Sequence, residues 1–341
     1  MSNNAKSFAK NGTRGPTIVC IGGGTGHSNL LRGLKTVTSN ITAIVAVSDD
    51  GGSSGVLRDE LRIPPPGDIR SCMQALSNAE TTIEKLMSYR FDTGSLSGQS
   101  FGNLFLAAIN GISESFDKAV IKMGEVLSIT GRVLPVSIDD VHLWAEFEDG
   151  SMVVGESKIA AAKRARLSRI KRVDVAPEDA PVLPECIEAI ENADVLVLGP
   201  GSLYTSIIPC LLIKGIVDAI ASSDALKLYV CNIMTELGET DGYSASEHIK
   251  GIFDHTDINV FDYCIVNDAS TLPGDVLDIY IRSGVEPVKV DDDAIATLGV
   301  EIMKSQVAAV QDNLMRHDSI KLAHEIKRLF IEKAPTKLYG V

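Results

Sequence analysis

The feature that most constrains the fold is the alternation, along most of the chain, of short β-branched runs with segments of helical spacing. The strand-like runs lie at residues 17–21, 41–47, 194–198, 227–231 and 261–266. This alternation is typical of a parallel sheet that is covered by helices on both faces. We therefore predict a three-layer α/β/α fold, and we expect ligands to bind beyond the carboxyl ends of the strands.

The segment between about residues 127 and 178 departs from this alternation. Its short period-two runs are joined by Asp-Asp and Asp-Gly pairs, which predicts a β-meander inserted into the α/β domain. The basic stretch within it, residues 161–173, is typical of a solvated face, and the alternatives are a cover over a ligand or a contact with an acidic partner. We predict a single domain over residues 15–341 and a disordered tail over residues 1–14.

Charge and cysteine usage exclude several functional classes. The 341 residues carry a net charge of −13, which argues against a nucleic-acid-binding surface. The six cysteines include no Cys-x-x-Cys pair, so we expect reduced cysteines in a cytoplasmic protein. The first residues lack the apolar segment of a signal peptide, and no run approaches the roughly 20 apolar residues of a membrane span. Neither nucleic acid nor membrane insertion is expected.

A glycine-rich turn, residues 22–26, follows the first strand and precedes a helical segment. Backbone N–H groups converge in such a turn and the helix N-terminus adds partial positive charge, so the turn predicts an anion site. The dinucleotide spacing is only half met, because His27 occupies the place of the third glycine, and no P-loop lysine follows. The alternative is a tight strand-to-helix turn without a ligand. The candidate contacts are Gly23, Gly24, Thr25, Gly26, His27 and Asn29.

Two adjacent carboxylates, Asp49 and Asp50, follow the second strand and lead into a second glycine nest with Ser53 and Ser54. A carboxylate about twenty residues past a glycine turn commonly holds a nucleotide ribose. Two aspartates are also a donor set for Mg²⁺ beside nucleotide phosphates. A plain turn that caps the next helix is the alternative. We take the four residues as candidate ligand contacts and the two aspartates as candidate metal ligands.

A proline-rich loop then holds Asp68 and Arg70 just before another helix. A rigid loop is suited to fixing a carboxylate and a guanidinium, and Arg70 can bind a phosphate through two hydrogen bonds. A surface charge pattern explains the pair equally well. Asp68 joins Asp49 and Asp50 as a candidate catalytic carboxylate. Asn103 opens a later helix as a candidate contact or as an N-cap.

A second glycine turn with Gly199, Gly201 and Ser202 follows the third strand-like run. Two such turns on neighbouring strands fit a diphosphate better than a single phosphate. The long polar loop after the next strand ends in a capping box formed by Ser244 and Glu247. Because this loop is too long for a simple connection, it supplies further candidate contacts. They are Asn232, Thr235, Thr240 and Tyr243.

Five motifs, at residues 22–35, 46–70, 101–105, 197–212 and 232–248, together resemble the YvcK family, also called the putative gluconeogenesis factors. That family is similar in turn to the CofD-like 2-phospho-L-lactate transferases, which make the deazaflavin cofactor F420. The resemblance covers nearly the whole chain. It implies a Rossmann-like (CofD-like) core in a cytoplasmic bacterial protein that binds UDP-sugars such as UDP-N-acetylglucosamine.

The resemblance also implies a role and two more site residues. Family members are linked to cell shape and peptidoglycan synthesis during gluconeogenic growth, which makes cell-wall enzymes candidate partners. Tyr280 and Arg316 look like the family's sugar-nucleotide contacts. Ser319, an exposed hydroxyl near charge, is a candidate target of a Ser/Thr kinase. Whether the chain forms a homo-oligomer is left open.

Two other functions stay open beside UDP-sugar binding. One is a transferase that moves a phosphoester from a nucleoside diphosphate-linked donor to an alcohol, with Mg²⁺ on Asp49 or Asp50. Against it, the chain carries a single tryptophan, Trp144, and no evident platform for a flavin. The other is a dinucleotide oxidoreductase, which the half-met glycine spacing disfavours.

Overall fold

The fold is built from short strands and helices in alternation, and the computed structural model describes residues 15–166, 168–268, 273–311 and 314–334. The predicted disordered tail lies outside the described residues. The strands are β1 (Ile18–Gly22), β2 (Ile41–Val45), β3 (Arg132–Pro135), β4 (His142–Phe147), β5 (Met152–Val154), β6 (Ile170–Ala176), β7 (Val195–Leu198), β8 (Leu226–Val230), β9 (Tyr263–Asn267), β10 (Glu301–Ser305), β11 (Ala308–Gln311) and β12 (Leu314–His317).

Helices connect these strands and pack around them. They are α1 (Gly24–Leu34), α2 (Gly52–Leu61), α3 (Gly67–Leu76), α4 (Thr81–Ser88), α5 (Phe101–Gly111), α6 (Phe116–Val126), α7 (Glu156–Arg166), α8 (Pro184–Glu191), α9 (Ile208–Leu212), α10 (Ile216–Ser222), α11 (Ala245–Thr256), α12 (Gly274–Arg282), α13 (Asp292–Thr297) and α14 (Ser319–Lys333). A π-helical turn, Leu203–Ile207, leads from β7 into α9.

The central sheet is parallel throughout, with the strand order β10-β9-β8-β7-β1-β2-β3. Every residue of β1, β2 and β7 is buried, and since successive side chains point to opposite faces, both faces of the sheet are covered. The predicted α/β fold with a parallel sheet is confirmed. The strand order reverses between β1 and β7, and in such sheets ligands bind in the crevice at this switch point.

Two strands at the edges of the sheet differ from the sequence-based prediction. β3, which we placed in the meander, pairs with β2 instead. β10 was not predicted because three of its five residues are polar and all are at least partly exposed, unlike the apolar runs of the inner strands. An edge strand pairs with one neighbour and is less buried, so it need not carry the apolar pattern that identifies a buried strand.

The inserted segment forms an antiparallel sheet of three strands in the order β5-β4-β6. β4 alternates partly exposed and buried residues, which is the period-two pattern that the sequence showed. The basic stretch is divided between α7 and β6. Several of its cations pair with carboxylates at the surface, for example Lys171 with Glu146 and Arg169 with Glu247.

The C-terminal segment closes the fold against α1. The hairpin of β11 and β12 leads into α14, whose N-cap Asp318 accepts hydrogen bonds from two backbone N–H groups. α14 meets α1 by direct backbone contact, because a Cβ at Gly33 would lie 1.8 Å from the carbonyl oxygen of Ser319. β12, which precedes α14, lies beside α1 as well, because Asn29 Nδ2 donates to the carbonyl oxygen of His317.

Three local predictions have structural outcomes. The capping box of Ser244 and Glu247 is present at the start of α11, and all six cysteines are buried and unpaired. In the part of the chain that the structure describes, no single helix combines the length and apolar composition needed to cross a membrane. Two helical segments, Leu203–Leu212 and Ile216–Ser222, meet the length and composition criteria only when taken together, and they are bent by 78° relative to each other.

Candidate ligand-binding site

A cavity of about 410 Å³ opens at the carboxyl ends of β1, β7 and β8. Its size lies within the range of small-molecule sites. Three of its walls are the segments that follow these strands, and the fourth comes from α12 and β12. The lining residues are Gly24, Thr25, Gly26, Asn29, Pro200, Gly201, Ser202, Asn232, Ile233, Met234, Thr235, Glu236, Tyr280, Leu314, Met315, Arg316 and His317.

Many of the residues that we predicted to bind ligand line this one cavity. They are Gly24, Thr25, Gly26, Asn29, Gly201, Ser202, Asn232, Thr235, Tyr280 and Arg316. They come from five separate stretches of the chain, so the fold brings together what the sequence keeps up to 292 positions apart, from Gly24 to Arg316. The crevice at the switch point is the physical reason for this convergence.

The start of α1 supplies the N–H groups of the cavity. Gly24 adopts a left-handed φ of +71°, and no side chain caps the helix in the usual N-cap manner. The N–H of Gly24 donates to Oδ2 of Asp68 at 2.7 Å. The N–H groups of Thr25 and Gly26 belong to the first turn and have no partner within the helix, so they remain available to an anion in the cavity.

The second glycine turn is held differently, by carboxylates from the loop after β8. Ser202 Oγ donates to Glu236 Oε1 at 2.8 Å. The backbone N–H of Tyr204 and the hydroxyl of Thr205 both donate to the carboxylate of Glu239, at 3.2 and 2.8 Å. The helix N-terminus of this turn is therefore already occupied by an internal carboxylate.

Burial of Glu239 has an electrostatic consequence. Desolvation, together with the nearby charge of Glu236, raises the pKa of Glu239 to about 8, while its hydrogen bonds from Thr205 and Tyr204 oppose the shift. Burial also raises the pKa of Glu236. At neutral pH the loop therefore keeps at least one of these groups largely protonated, which reduces the negative charge behind the cavity wall.

The two glycine turns touch each other. A Cβ at Gly26 would lie 3.0 Å from the carbonyl oxygen of Pro200, and one at Gly201 would lie 2.8 Å from the carbonyl oxygen of Gly23. This contact between the turns differs from an arrangement in which two separate anion-binding turns enclose a diphosphate. Since the turns are in backbone contact, a ligand contacts them from the shared cavity on one side.

Arg316 is the cation of the cavity wall. No hydrogen bond or ion pair within the described ranges involves its guanidinium, so it is free to bind an anion. Its strand is fixed from α12, because Met315 N donates to Tyr280 Oη at 2.8 Å. Tyr280 thus has a structural contact as well as a place in the cavity wall.

Acidic side chains gather outside the cavity, beyond Gly24. Burial, and next the charge of Asp49, raises the pKa of Asp68 to about 6, although the N–H of Gly24 and the charge of Arg70 oppose this. Burial and the charges of Asp49, Asp50 and Asp68 raise the pKa of Glu156 to about 7. These groups therefore change protonation near neutral pH.

The predicted metal ligands are partly committed to backbone contacts. Asp49 Oδ1 accepts from Gly51 N at 2.9 Å, and Asp50 Oδ1 accepts from Ser157 N at 2.8 Å. Among the residues that the structure describes, no group of three or more His, Cys, Asp or Glu side chains is arranged to hold a metal ion. These carboxylates do not fit a metal site by themselves, and the Mg²⁺ ligands stay a prediction.

Arg70, Asn103 and Ser53 form a polar network outside the cavity. Arg70 Nε donates to Asn103 Oδ1 at 3.1 Å, and Asn103 Nδ2 donates to Ser53 Oγ at 3.2 Å. Ser54 is buried against Gly67, where a Cβ would lie 2.3 Å from its Oγ. The structure therefore separates this part of the predicted site from the cavity.

The other predicted contacts do not line the cavity either. His27 is fully buried beside Gly22 and Gly199, and burial lowers its pKa to about 4, so it is a neutral core residue. Thr240 is fully buried and its Oγ1 accepts from Glu236 N. Tyr243 is buried with its hydroxyl 3.0 Å from that of Tyr204.

Gly23 and Gly199 serve the backbone. A Cβ at Gly23 would lie 2.5 Å from Asp68 Oδ2, and one at Gly199, which has a φ of +72°, would lie 2.9 Å from Ile207 Cδ1. The sequence-based prediction missed Glu236 and Glu239, although two carboxylates in a long loop beside a serine-bearing turn were a usable signal. It also missed the apolar wall, which contains Ile233, Met234, Leu314 and Met315.

The parallel sheet and the cavity at its switch point define an α/β protein with a candidate small-molecule site, and comparison with known proteins identifies its family. The family described as "2-phospho-L-lactate transferase CofD" matches residues 18–308. A "Putative gluconeogenesis factor" from Thermoanaerobacterium thermosulfurigenes is 51% identical over 318 residues, covering 93% of this chain and 97% of the relative. The chain therefore belongs to the CofD (UPF0052) family, among relatives named gluconeogenesis factors.

Two further relatives support the same assignment. The "Gluconeogenesis factor" of Bacillus subtilis is 45% identical over 309 residues, covering 90% of this chain and 96% of that protein. A crystal structure of a UPF0052 family member from Bacillus halodurans superposes with a TM-score of 0.87 at 45% identity, covering 91% of this chain and 98% of that one. The resemblance that the motifs indicated is confirmed.

Proposed function

We propose that the protein binds a UDP-sugar of the UDP-N-acetylglucosamine type in this cavity. The observation that carries the proposal is that one cavity is lined both by the open N–H groups at the start of α1 and by the guanidinium of Arg316, which has no partner among the described residues. A diphosphate at this point would interact with the helix N-terminus and with Arg316 at once. The apolar wall of Ile233, Met234 and Leu314 is suited to the rest of the ligand.

The same proposal gives the protein a regulatory role in the cytoplasm. Relatives are named gluconeogenesis factors, and we infer a function in cell shape and cell-wall synthesis during gluconeogenic growth, exerted on cell-wall enzymes. The cavity wall includes β12, which continues into α14. A ligand that binds one arrangement of these elements more tightly than another shifts their population, and a partner protein can respond to that change.

Calorimetry with UDP-N-acetylglucosamine tests the binding. We expect saturable binding to the wild-type chain and a loss of tenfold or more in affinity for Arg316→Gln, since a charge-assisted contact contributes about 1.5–3 kcal/mol. Arg282→Gln is the matched control, because Arg282 lies exposed at the end of α12. Equal affinity of the Arg316→Gln and Arg282→Gln chains would contradict the assignment of this cavity.

A second candidate function, phosphoester transfer, is favoured by the carboxylates beside Gly24. Asp68 and Glu156 have pKa values raised to about 6 and 7, which suits a group that accepts a proton from an acceptor alcohol at neutral pH. Incubation with an activated phospholactate or phosphoenolpyruvate donor and a deazaflavin, followed by mass spectrometry, tests it. Turnover that Asp50→Asn abolishes would favour the transferase, and an absence of product would leave the binding protein.

A further inference from the structure

A second cationic region lies outside the cavity, around Arg70 of α3. Its side chain is partly buried and passes over Gly102 of α5, where a Cβ would lie 2.5 Å from Arg70 Cδ. Gly102 has an ordinary backbone conformation, since its φ is not positive. The absence of a side chain at this position therefore makes room for Arg70 and for the carbonyl oxygen of Met87, which would lie 2.7 Å from the same Cβ.

The guanidinium of Arg70 is held by neutral groups only. Its Nε donates to Asn103 Oδ1 and its Nη1 donates to Gln74 Oε1, both at 3.1 Å. In the described ranges no carboxylate lies within ion-pair distance of it, and its Nη2 makes no hydrogen bond. A partly buried charge is costly unless an opposite charge compensates it.

The orientation of the guanidinium is fixed from behind. Asn103 Nδ2 donates to Ser53 Oγ at 3.2 Å, and Ser53 Oγ donates to Gln99 Oε1 at 2.8 Å. Asn103 is therefore held with its oxygen toward Arg70. A guanidinium that is fixed on one edge and unbonded at Nη2 is prepared to bind an oxyanion on its remaining edge.

Arg90 adds a second positive charge to the region. The backbone of Arg90 pairs with that of Ser100, immediately before α5, whose Gly102 and Asn103 face Arg70, so the two arginines lie in the same region. The charge of Arg90 contributes, after burial, to lowering the pKa of Arg70. Arg90 is exposed, and its Nη1 donates to the carbonyl oxygen of Gly98. Among the described residues neither arginine forms an ion pair, and the charge of Asp68 acts on Arg70 only from beyond ion-pair distance. Both guanidinium groups therefore lack a direct carboxylate partner.

We propose that Arg70 and Arg90 form a second anion site, separate from the cavity, which binds the phosphate or carboxylate group of a small metabolite. Asp68 interacts with both sites, because its carboxylate accepts a hydrogen bond from the N–H of Gly24 and its charge acts on Arg70. This inference does not rest on the proposed UDP-sugar site. A protein with both sites senses two anionic ligands rather than one.

Titration of the full chain with inorganic phosphate and, separately, with acetate tests this site and identifies which oxyanion it prefers. The titrations use Arg316→Gln chains, so that binding in the cavity does not contribute. We expect one bound anion per chain, with a dissociation constant of about 1 mM, and an affinity loss of tenfold or more on adding Arg70→Gln. Arg70→Lys keeps the charge and is expected to retain part of the affinity.

Arg90→Gln guards against a folding defect, since Arg90 is exposed and its removal leaves the packing around Gly102 unchanged. We expect Arg90→Gln to weaken anion binding severalfold, while the thermal unfolding midpoint stays at that of the Arg316→Gln parent. The proposal is overturned if the Arg316→Gln chain binds neither anion at about 10 mM. It is also overturned if phosphate or acetate binds equally well with and without Arg70 and Arg90.

Discussion

The two glycine turns have similar sequences and different uses. The first, after β1, keeps the N–H groups of Thr25 and Gly26 open toward the cavity, while the second, after β7, donates the N–H of Tyr204 in its first helical turn to Glu239. Glycine and a helix N-terminus create the capacity to bind an anion. Whether an external ligand or an internal carboxylate uses that capacity is decided by the rest of the fold, here by the loop after β8.

The contact between the turns is the strongest point at which to break this comparison. Gly201→Ala places a methyl group 2.8 Å from the carbonyl oxygen of Gly23, so the turns must move apart. We expect a loss of about 1–3 kcal/mol in the free energy of unfolding and a loss of UDP-sugar binding, measured by thermal denaturation and calorimetry.

Gly111→Ala is the control for this substitution, because a Cβ at Gly111 meets no atom within 4 Å. It is expected to retain both stability and binding. If Gly201→Ala behaves like Gly111→Ala, the two turns do not need their close contact, and the cavity wall is more adaptable than the structure indicates.

The internal carboxylate of the second turn gives the next largest effect, which depends on pH. The pKa of Glu239 rises from 4.5 in the unfolded chain to about 8 in the folded one, so the folded state holds more protons between these values and loses stability as the pH rises through them. Glu239→Gln removes this loss. We expect the free energy of unfolding of the variant, relative to that of the wild type, to rise by at least about 1 kcal/mol between pH 5 and pH 8.5.

Urea denaturation at several pH values measures this gain. Glu60→Gln is the matched control, since Glu60 is exposed on α2, and its stability is expected to follow the wild type at every pH. A constant difference between Glu239→Gln and the wild type across the range would show that Glu239 has the same pKa in the folded and the unfolded chain, and would contradict the raised pKa.

The sequence predicts the glycine turns and the inner strands well, for a physical reason. Glycine clusters after apolar runs indicate tight turns, whose backbone conformation is a local property, and strands buried on both faces are rich in β-branched residues. The closing wall of the cavity depends instead on long-range packing. Arg316 and Tyr280 entered the prediction only through the family resemblance, because nothing local marks a short hairpin as part of a site.

The same distinction explains which candidates lie outside the cavity. His27 follows the first turn directly, yet its place on α1 directs it into the core beside Gly199 rather than toward the ligand. Arg70 and Asn103 contact each other as their helical positions permit, but on a separate surface. Proximity in sequence to a functional turn therefore does not determine which face of a helix carries a residue.

The first turn also has a carboxylate neighbour, and this gives the smallest and most discriminating effect. Asp68 accepts from Gly24 N, and its pKa is raised to about 6, so it is mostly neutral at pH 5 and ionised at pH 8. An ionised Asp68 repels an anionic ligand at the start of α1. The affinity of the wild type for UDP-N-acetylglucosamine is therefore expected to fall severalfold from pH 5 to pH 8. The fall is expected to be smaller for Asp68→Asn, in which Glu156 and Glu236 still titrate.

Calorimetry at the two pH values separates this effect from a change in folding, because Asp68→Asn keeps an oxygen that can accept from Gly24 N. The comparison between the turns makes the sign specific. Glu239 is bonded to the second turn and not to the open N–H groups, so Glu239→Gln is expected to leave the pH dependence of ligand affinity in place while Asp68→Asn reduces it. If both substitutions reduced it equally, the two turns would share one electrostatic environment, and the division between an open and an internally occupied helix N-terminus would be wrong.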